Sequence, residues 1–305
     1  MSEKPLLTII TPVYNGSKTL DGLVDSLLSL DCLAESGEVE WLVTDDGSTD
    51  NSIEILESSM PKFKNFETKI FTQKNLGPGS ARNTALSNAN GKWVFLLDRD
   101  DTLNINPLPL LKSVEAKDVT CMHFAVDFFK LGKHVKRRPP LPLKHFKNKK
   151  TFLDLMTADN YFTICSLIFR RDLVEHKFDD EHRYLEDWLF FGMNFHLFDN
   201  MMIFRNKVLA NINFSHSSLS TDFKSMARHR DFIADALLSH FKGELTGKQI
   251  NNLYVQKAIA KKMSSGVFDF KAFFLFPVAP FLYFKLIVYY FLWPIFHSIN
   301  FFRSH

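Results

Sequence analysis

Three carboxylates stand close together in the stretch "LLDRDDT", where Asp98, Asp100 and Asp101 surround Arg99 at the end of an apolar run. Like charges at this spacing are tolerated when a cation lies among them. Mg²⁺ and Mn²⁺ typically take one or two carboxylates and complete their ligand set with water and substrate phosphates. The cluster therefore predicts a divalent cation site, although a solvated acidic turn in which Arg99 neutralises a neighbour would explain the same residues.

A second carboxylate pair, Glu186 and Asp187 in "LEDW", opens a predicted helix. The helix dipole favours an anion at this end and keeps a carboxylate ionised. A general base would then need burial to be reactive near neutral pH, and aromatic residues that follow, such as Trp188, could provide it. Charge complementarity at a helix start is the alternative explanation.

Two more polar stretches follow predicted strands, "TPVYNG" (11–16) and "TDDGSTD" (44–50). The first combines a rigid turn with an aromatic face. The second places two carboxylates where one could accept a hydrogen bond from an imide or a ribose hydroxyl, but an Asx turn and helix cap formed by Asp46 and Ser48 would also account for it. Neither G-x-G-x-x-G nor G-x-x-x-x-G-K-[ST] follows the first strand, which argues against dinucleotide and P-loop sites.

The elements that position these residues alternate between strands and helices. The apolar run at 6–10 predicts a buried strand, and further strands are predicted at 41–44, at 69–73 and directly before Asp98. Pro12 is expected to end the first of them, and Ser17 to cap the helix that follows; a further helix is predicted over 79–88. Such βα units build a mostly parallel sheet, and three polar loops then lie at carboxyl ends of strands, where open α/β sheets bind ligands.

The second half of the chain is less regular. We predict a strand over 118–129 and a strand with a helix start over 162–174. A helix with a large aromatic face is expected over 184–198. Between them, 133–150 holds eight Lys or Arg and three prolines, which indicates a basic connection outside the domain core.

Composition limits the function classes. The chain has 305 residues, 46% of them hydrophobic and 23% charged, which is typical of a globular protein. A net charge of +3 is too small to indicate nucleic-acid binding. The three cysteines form no C-x-x-C pair and favour a reducing compartment, and the apolar stretch near the N-terminus is too short for a signal peptide.

The last part of the chain is rich in aromatic residues. Pro277, Pro280, Lys285 and Pro294 interrupt its apolar run, and the longest charge-free stretch, 286–302, has 17 residues. A spanning helix needs about 20. Aromatic residues with scattered Lys and Arg instead predict a segment that lies in the membrane interface.

Taken in order, "TPVYNG" (11–16), "DDGSTD" (45–50), "NLGPGSARN" (75–83), "DRDD" (98–101) and "ED" (186–187) resemble the family 2 glycosyltransferases, inverting enzymes with the GT-A fold. The resemblance covers about residues 6–220 and points to the bacterial surface-polysaccharide and lipopolysaccharide type. It implies an α/β fold with a Rossmann-like, mostly parallel central sheet flanked by helices.

The resemblance also implies a role for each site residue. Asp187 would be the catalytic base, and Glu186 would position the acceptor. Residues implied to bind the nucleotide sugar are Pro12, Tyr14, Asn15, Asp46, Gly79, Arg82, Asp98 and Arg99. Residues implied to hold a divalent cation, Mn²⁺ or Mg²⁺, are Asp98, Asp100, Asp101 and His216. Arg99 replaces a small residue and "NFS" precedes His216 in place of a Tyr-Arg pattern, which leaves the geometry of the diphosphate site open.

We therefore expect three regions: a GT-A domain over 1–220, with a nucleotide half at about 1–102 and an acceptor half at about 103–220, a helical connection over 221–266, and a membrane-associating tail over 267–305. The expected partners are a nucleotide-diphosphate sugar and a glycan or lipid-linked acceptor, with no nucleic acid. UDP is the commonest nucleotide in such a pocket, but dTDP and GDP stay open. The expected location is the inner face of the cytoplasmic membrane, where the basic segment could contact anionic lipid.

Two other functions deserve comparison. A nucleotidyltransferase that makes the sugar nucleotide would show a glycine-rich, basic loop after the first strand, and "TPVYNGSKT" is a poor example. A membrane-bound module that binds the nucleotide sugar without catalysis would be expected to lack a catalytic carboxylate, and all the candidate carboxylates are present.

Overall fold

The computed structural model describes residues 5–214 and 223–265. They belong to two compact units, one within Met1–Asn148 and Phe162–Ser218 and one within Lys149–Tyr161 and Leu219–His305. All the described candidate site residues lie in the first unit.

The first unit contains a nine-stranded sheet in the order β3-β2-β1-β4-β8-β6-β9-β5, with β7 paired to β6. Strands β1 to β4 are parallel, β6 and β9 are also parallel, and the remaining pairs are antiparallel. The strands are β1 Leu7–Val13, β2 Val39–Asp45, β3 Glu67–Thr72, β4 Trp93–Leu96, β5 Thr102–Leu103, β6 Cys121–Lys130, β7 Lys133–Arg138, β8 Leu167–Arg170 and β9 Met201–Phe214.

Helices connect and cover these strands. The α-helices are α1 Leu20–Asp31, α2 Ser52–Ser59, α3 Pro78–Asn88, α4 Leu108–Ser113, α5 Lys149–Met156, α6 Glu186–Met193, α7 Phe223–His240 and α8 Gly247–Ser265. Short 3₁₀ turns occupy Met60–Lys62, Leu143–Phe146, Ile164–Ser166, Arg171–Leu173 and Phe195–Phe198. The predicted α/β class with a mostly parallel sheet flanked by helices is confirmed.

The first strand is longer than the sequence indicates, and the prediction that Pro12 ends it is wrong. The N–H of Leu97 donates to the carbonyl of Ile10, so alternate residues of β1, Ile10 and Pro12 among them, face β4. Strand β4 ends at Leu96, which pairs with Ile10. Pro12 therefore lies beyond the end of β4, where a missing N–H costs no ladder hydrogen bond.

Three parts of the second half differ from the predictions. The basic segment is not only a connection, because Lys133–Arg138 forms β7 in a hairpin with β6. The predicted helix over 184–198 ends at Met193, since the side-chain oxygen of Asn194 accepts hydrogen bonds from the N–H groups of Glu175 and His176. The 14 residues of β9 form a strand that the sequence pattern does not indicate.

The segment that leads into α6 is fixed on α3. Asn83 Nδ2 donates to the carbonyl of Phe178 (2.8 Å), and its Oδ1 accepts the N–H of the same residue (2.9 Å). A Cβ atom at Gly79 would lie 2.5 Å from the carbonyl oxygen of Asp179. The absence of a side chain at Gly79 therefore lets this segment lie against the first turn of α3.

The second unit is helical and contains α5, α7 and α8. The side-chain amide of Gln249 donates to the carbonyl of Lys150 (3.0 Å) and to Asp154 (2.9 Å), which ties α8 to α5. Arg230 of α7 pairs with Asp159 at 3.0 Å. No helix within 5–214 or 223–265 has the length and apolar character that a membrane crossing requires. The predicted interfacial tail, 267–305, lies outside the described residues.

We expect Gly79→Ala to destabilise the first unit by about 2 kcal/mol, because the new methyl group would meet backbone and cannot be accommodated by a rotamer change. Thermal unfolding followed by circular dichroism measures this. Gly22→Ala, inside α1, is the matched control, since its Cβ would be 3.7 Å from Thr102 Cγ2, an ordinary contact. Equal melting temperatures for the two variants would contradict the close approach at Gly79.

Candidate active site

The loops that follow β1 and β2 brace one another. Asn15 has a left-handed φ of 51°, a conformation that asparagine adopts more readily than most residues. Its Oδ1 accepts the N–H of Thr49 (2.8 Å), and its own N–H donates to Ser48 Oγ (2.9 Å). The N–H of Gly16 donates to Ser52 Oγ (2.8 Å). Two neighbouring strand ends are thus joined by direct hydrogen bonds.

Asp50 strengthens the same connection. The prediction that Ser17 caps α1 is wrong, because the helix begins at Leu20. The N–H of Ser17 instead donates to Asp50 Oδ2 (3.1 Å), and Asp50 Oδ1 accepts the N–H of Ser52 (3.1 Å). Burial acts to raise the pKa of Asp50, but the hydrogen bonds from Ser52 and Ser17 outweigh it and lower the pKa to about 2.

Asp46 organises the loop that leads into α3. Its Oδ1 accepts hydrogen bonds from Gln73 Nε2 and from the N–H of Leu76, and its Oδ2 accepts the N–H of Gly77, each at 2.8 Å. The residue is only 4% exposed. Both carboxylate oxygens of Asp46 therefore already have donors within the protein.

The neighbouring Asp45 has one carboxylate oxygen that accepts no hydrogen bond from the described residues. Asp45 Oδ2 accepts the N–H groups of Gly47 and Ser48, both at 3.1 Å. Asp45 Oδ1 is buried and has no hydrogen-bond partner among the described residues. The acceptor available at the end of β2 thus belongs to Asp45, a residue that the sequence analysis did not assign.

Pro12 and Tyr14 occupy different environments. Pro12 is a buried residue within β1, whereas the side chain of Tyr14 follows the strand and is 40% exposed. Tyr14 is therefore the aromatic face that this strand end presents.

A buried guanidinium joins the two acidic clusters. Arg82 of α3 donates from Nη2 to Asp98 Oδ1 (2.6 Å) and from Nη1 to Glu186 Oε1 (2.5 Å). Its Cζ lies 5.5 Å from the ring centroid of Phe178. Burial opposes its charge, but Asp98 and Glu186 outweigh this and hold the pKa of Arg82 above its ordinary value. One cation therefore places the end of β4 beside the start of α6.

The turn after β4 is held by residues from β9 and from the 3₁₀ turn Ile164–Ser166. The N–H of Asp101 donates to the carbonyl of Asp98 (3.0 Å). Asp101 Oδ1 accepts the N–H of Asn213 (3.0 Å), and Oδ2 accepts the thiol of Cys165 (2.9 Å). Asn213 Nδ2 also donates to the carbonyl of Asp100 (2.8 Å). Asn213 and Cys165 thus fix the position of this turn.

Arg99 extends toward the loop after β1. A Cβ atom at Gly16 would lie 2.7 Å from Arg99 Cδ, so the arginine stem occupies the space that this glycine leaves. Its Nε is buried and has no hydrogen-bond partner among the described residues. Arg99 therefore does not neutralise its neighbours by a direct ion pair in the described structure.

The carboxylates of the turn repel one another. Burial raises the pKa of Asp100, the charge of Asp98 raises it further, and Arg99 opposes this. Burial together with Asp100 and Asp98 raises the pKa of Asp101 well above its usual range. A positive charge at this corner would relieve both the repulsion and the unfavourable burial.

The donor set fits a divalent cation. One ligand atom each from Asp98, Asp101 and Cys165 can be chosen so that all three lie within 4.8 Å of one another. Carboxylate oxygens suit Mn²⁺ and Mg²⁺, whereas a thiol is a softer ligand that Mg²⁺ does not favour. Cys165 was not predicted, because a single cysteine in an apolar run carries no spacing signal. The observed set is compatible with a cation, and Mn²⁺ suits it better than Mg²⁺.

Asp187 lies at the second position of α6, next to Glu186. Leu185, the residue before the helix, has a left-handed φ of 58°. A leucine in this conformation is strained, and such strain often occurs at functional sites. The half-buried Asp187 accepts the N–H of Trp188 at Oδ1 (2.8 Å). The sharp change of direction at Leu185 thus sets the start of the helix that carries both carboxylates.

The predicted residues fall into two groups in the structure. Arg82, Asp98 and Glu186 are in direct contact, and Asp100, Asp101 and Asp187 are their chain neighbours. Residues at the ends of β1 and β2 form the other group. Arg99 extends from the first group to Gly16, in the loop after β1. His216 lies outside the described residues.

Comparison with known proteins identifies the class. The model of glycosyl transferase family 2 matches residues 8–178. The chain is 30% identical over 173 residues to the cholesterol galactosyltransferase of Borreliella burgdorferi, a match that covers 55% of this chain and 45% of that protein. It is 28% identical over 200 residues to the succinoglycan biosynthesis protein ExoO of Rhizobium meliloti, covering 61% and 54%. The matched region spans about half the length of these relatives.

Solved structures share the fold. TarS 1–349 of Staphylococcus aureus in complex with UDP-GlcNAc superimposes with a TM-score of 0.61 and 21% identity over 84% of this chain and 72% of that one. The mannosyltransferase PcManGT of Pyrobaculum calidifontis, in complex with GDP-Man and Mn²⁺, gives a TM-score of 0.55 at 16% identity, covering 97% and 84%. The fold is thus that of the GT-A glycosyltransferases. The chain belongs to glycosyl transferase family 2.

A pH dependence of stability follows from Glu186. Burial raises its pKa from 4.5 to about 7, although Arg82 opposes this. Between these pH values the folded protein holds a proton that the unfolded chain has released. The resulting stabilisation is complete below pH 4.5 and is lost as the pH rises through 7. We expect Glu186→Gln to remove this loss. The free energy of unfolding of the variant, relative to that of the wild type, should therefore rise by up to about 3 kcal/mol between pH 5 and pH 8.

Denaturant titrations at several pH values measure the difference in the free energy of unfolding. Glu181→Gln, at an exposed position in the preceding loop, is the control for removing one carboxylate. Parallel pH profiles for the wild type and Glu186→Gln would show that Glu186 stays ionised beside Arg82.

Proposed function

We propose that this protein is an inverting glycosyltransferase that moves a sugar from a nucleotide-diphosphate donor to a hydroxyl group of a surface glycan or lipid-linked acceptor. One observation carries the proposal. Arg82 binds Asp98 at 2.6 Å and Glu186 at 2.5 Å. This brings the turn that is proposed to bind the cation and the diphosphate next to the start of α6, which carries the candidate base Asp187. Family membership supports sugar transfer as the reaction.

Asp187 is the proposed base. Transfer with inversion is a single in-line displacement, so it requires one group to take the proton from the acceptor hydroxyl and no nucleophilic side chain. Asp187 is half-buried and follows Glu186, whose side chain is occupied by Arg82. We assign proton removal to Asp187 and positioning of the acceptor side to Glu186, as the resemblance implies.

The corner after β4 is the proposed diphosphate site. A bound divalent cation would neutralise the charge of the departing diphosphate. Asp98 and Asp101 would hold it, with Cys165 beside them. Asp100 would join them, as the resemblance implies. Asn213 keeps the turn that carries these carboxylates in place. The preorganised corner then spares the protein a rearrangement during the reaction. We also assign His216 to this corner, as the resemblance implies.

The donor nucleotide is proposed to lie across the ends of β1 and β2. Tyr14 presents an exposed ring on which the nucleobase could stack. The buried Oδ1 of Asp45, which has no hydrogen-bond partner among the described residues, could accept an imide N–H of the nucleobase. The resemblance assigns Asp46 to binding of the nucleobase. It would do so indirectly, through the loop at 73–77 to which it is hydrogen-bonded. Pro12, Asn15 and Gly79 would shape the pocket wall. A UDP-sugar is the favoured donor, in keeping with the UDP-GlcNAc complex of TarS.

The acceptor and the location are inferred from the relatives' activities. The named relatives include a cholesterol galactosyltransferase and a succinoglycan biosynthesis protein. We propose that this enzyme acts at the inner face of the cytoplasmic membrane, with the aromatic segment 267–305 in contact with lipid.

We expect a nucleotide-diphosphate sugar with Mn²⁺ to raise the melting temperature of the protein, because a ligand that binds only the folded state stabilises it. A panel of UDP-, dTDP- and GDP-sugars, each with and without Mn²⁺, identifies the donor. Asp100→Asn should reduce the Mn²⁺-dependent part of the shift, and Asp180→Asn, at an exposed site, should leave it unchanged. No shift with any member of the panel would refute the proposed donor class.

We expect Asp187→Asn to lower the rate of sugar transfer by roughly 10²- to 10⁴-fold while donor binding is retained, since the variant loses only a proton acceptor. Release of nucleotide diphosphate in the presence of an acceptor extract measures the rate, and the melting shift measures binding. Asp180→Asn again serves as the control. Undiminished transfer by Asp187→Asn would overturn the assignment of the base.

A further inference from the structure

The hairpin between β6 and β7 has an unusual tip. The two turn residues, Leu131 and Gly132, have φ values of 51° and 73°, both in the left-handed region. Two-residue hairpin turns of this kind favour Asn or Gly at the first position, and a branched apolar residue is strained there. The side chain of Leu131 is 78% exposed, so no packing compensates for the strain.

The residues on either side of the tip also repel one another. Lys130 and Lys133 are a directly opposite pair in the register of β6 and β7. Like charges at opposite positions destabilise a hairpin. Neither lysine has an acidic partner within 4 Å among the described residues. The repulsion between the two lysines thus adds to the strain at Leu131.

The rest of β7 extends the same surface. All six of its residues are exposed, including Val135 at 55%. Between 130 and 138 the sequence has five Lys or Arg and no Asp or Glu. Arg137 pairs with Asp127 at 2.7 Å, which leaves a strong excess of positive charge beside two exposed apolar side chains. Lysines on an edge strand can serve to prevent strand pairing, but that purpose does not call for an exposed leucine at the tip.

We infer that the tip of the β6–β7 hairpin, residues 130–138, binds the surface of a bilayer with anionic headgroups, Leu131 entering the interface while the basic side chains contact the headgroup charges. Charge complementarity identifies the anionic component, and the exposed Leu131 and Val135 distinguish a lipid surface from a soluble polyanion. The proposed contact involves residues 130–138 alone and no residue of the segment 267–305. It does not depend on the identity of the donor or acceptor.

The test compares the full chain and its variants by co-sedimentation with two kinds of vesicle, phosphatidylcholine alone and equimolar phosphatidylcholine and phosphatidylglycerol. The measured quantity is the ratio of the two partition coefficients, which removes binding that does not require anionic lipid. Lys130→Glu should lower this ratio roughly 25-fold, because each unit of positive charge near the surface contributes about fivefold. Leu131→Asn should lower partition into the anionic vesicles about tenfold, through loss of apolar burial.

Two features separate this role from a structural one. Lys130→Glu creates an opposite-charge pair with Lys133, and Leu131→Asn introduces a residue that accepts the left-handed conformation, so both variants should melt no lower than the wild type. Leu33→Asn and Lys62→Glu make the same changes at exposed positions elsewhere in the first unit, and both should bind vesicles as the wild type does.

The outcomes are decisive. Weaker binding by both hairpin variants with unchanged melting temperatures supports the proposal. Weaker binding by Lys130→Glu alone would indicate a soluble polyanion as the partner and would overturn it. Unchanged binding by both variants, or equal losses in the two control variants, would overturn it as well.

Discussion

The acidic corner formed by Asp98, Asp100, Asp101 and Glu186 depends on one buried guanidinium, Arg82, shared between two carboxylates. Arg82 is 3% exposed and binds both Asp98 and Glu186, so removing it would leave the buried Glu186 and the partly exposed Asp98 without their cation. Loss of one partner of a buried pair typically costs about 3–5 kcal/mol. The supports of Arg82 therefore matter: Gly79 and Asn83 fix α3 against the segment that carries Phe178, whose ring lies beside the guanidinium.

The same corner contains more negative charge than it can neutralise. Arg82 serves two carboxylates, Arg99 extends toward Gly16, and the pKa values of Asp100 and Asp101 are raised by burial and mutual repulsion. Such an arrangement lowers the stability of the fold in exchange for affinity toward a cation or for protonation of the site. The fold tolerates it because Asn213 and Cys165 hold the turn from another part of the sheet.

Local sequence patterns predicted the elements that short stretches of the chain specify by themselves, without reference to distant residues. β1 and β2 are wholly buried, and their apolar cores were predicted as strands; the helix predicted over 79–88 is α3, which begins one residue earlier, at Pro78. β9 could not be predicted, because it pairs with β6 through irregularities that place Phe124 opposite Phe204 and Ala125 opposite Val208, which breaks the alternation. The roles of Cys165 and Asn213 arise from such long-range pairing, and β7 is a strand only because β6 lies beside it.

The link between Asp101 and Asn213 also sets an order of events during synthesis on the ribosome. The two residues are 112 positions apart, and β9 is the strand that brings Asn213 to the turn. At roughly 5–20 residues per second, Asn213 is added roughly 6–22 s after Asp101. During that interval the acidic turn has been synthesised but the strand that holds it has not. The acidic corner is thus completed late in translation, although Arg82 and the carboxylates of its turn are made early.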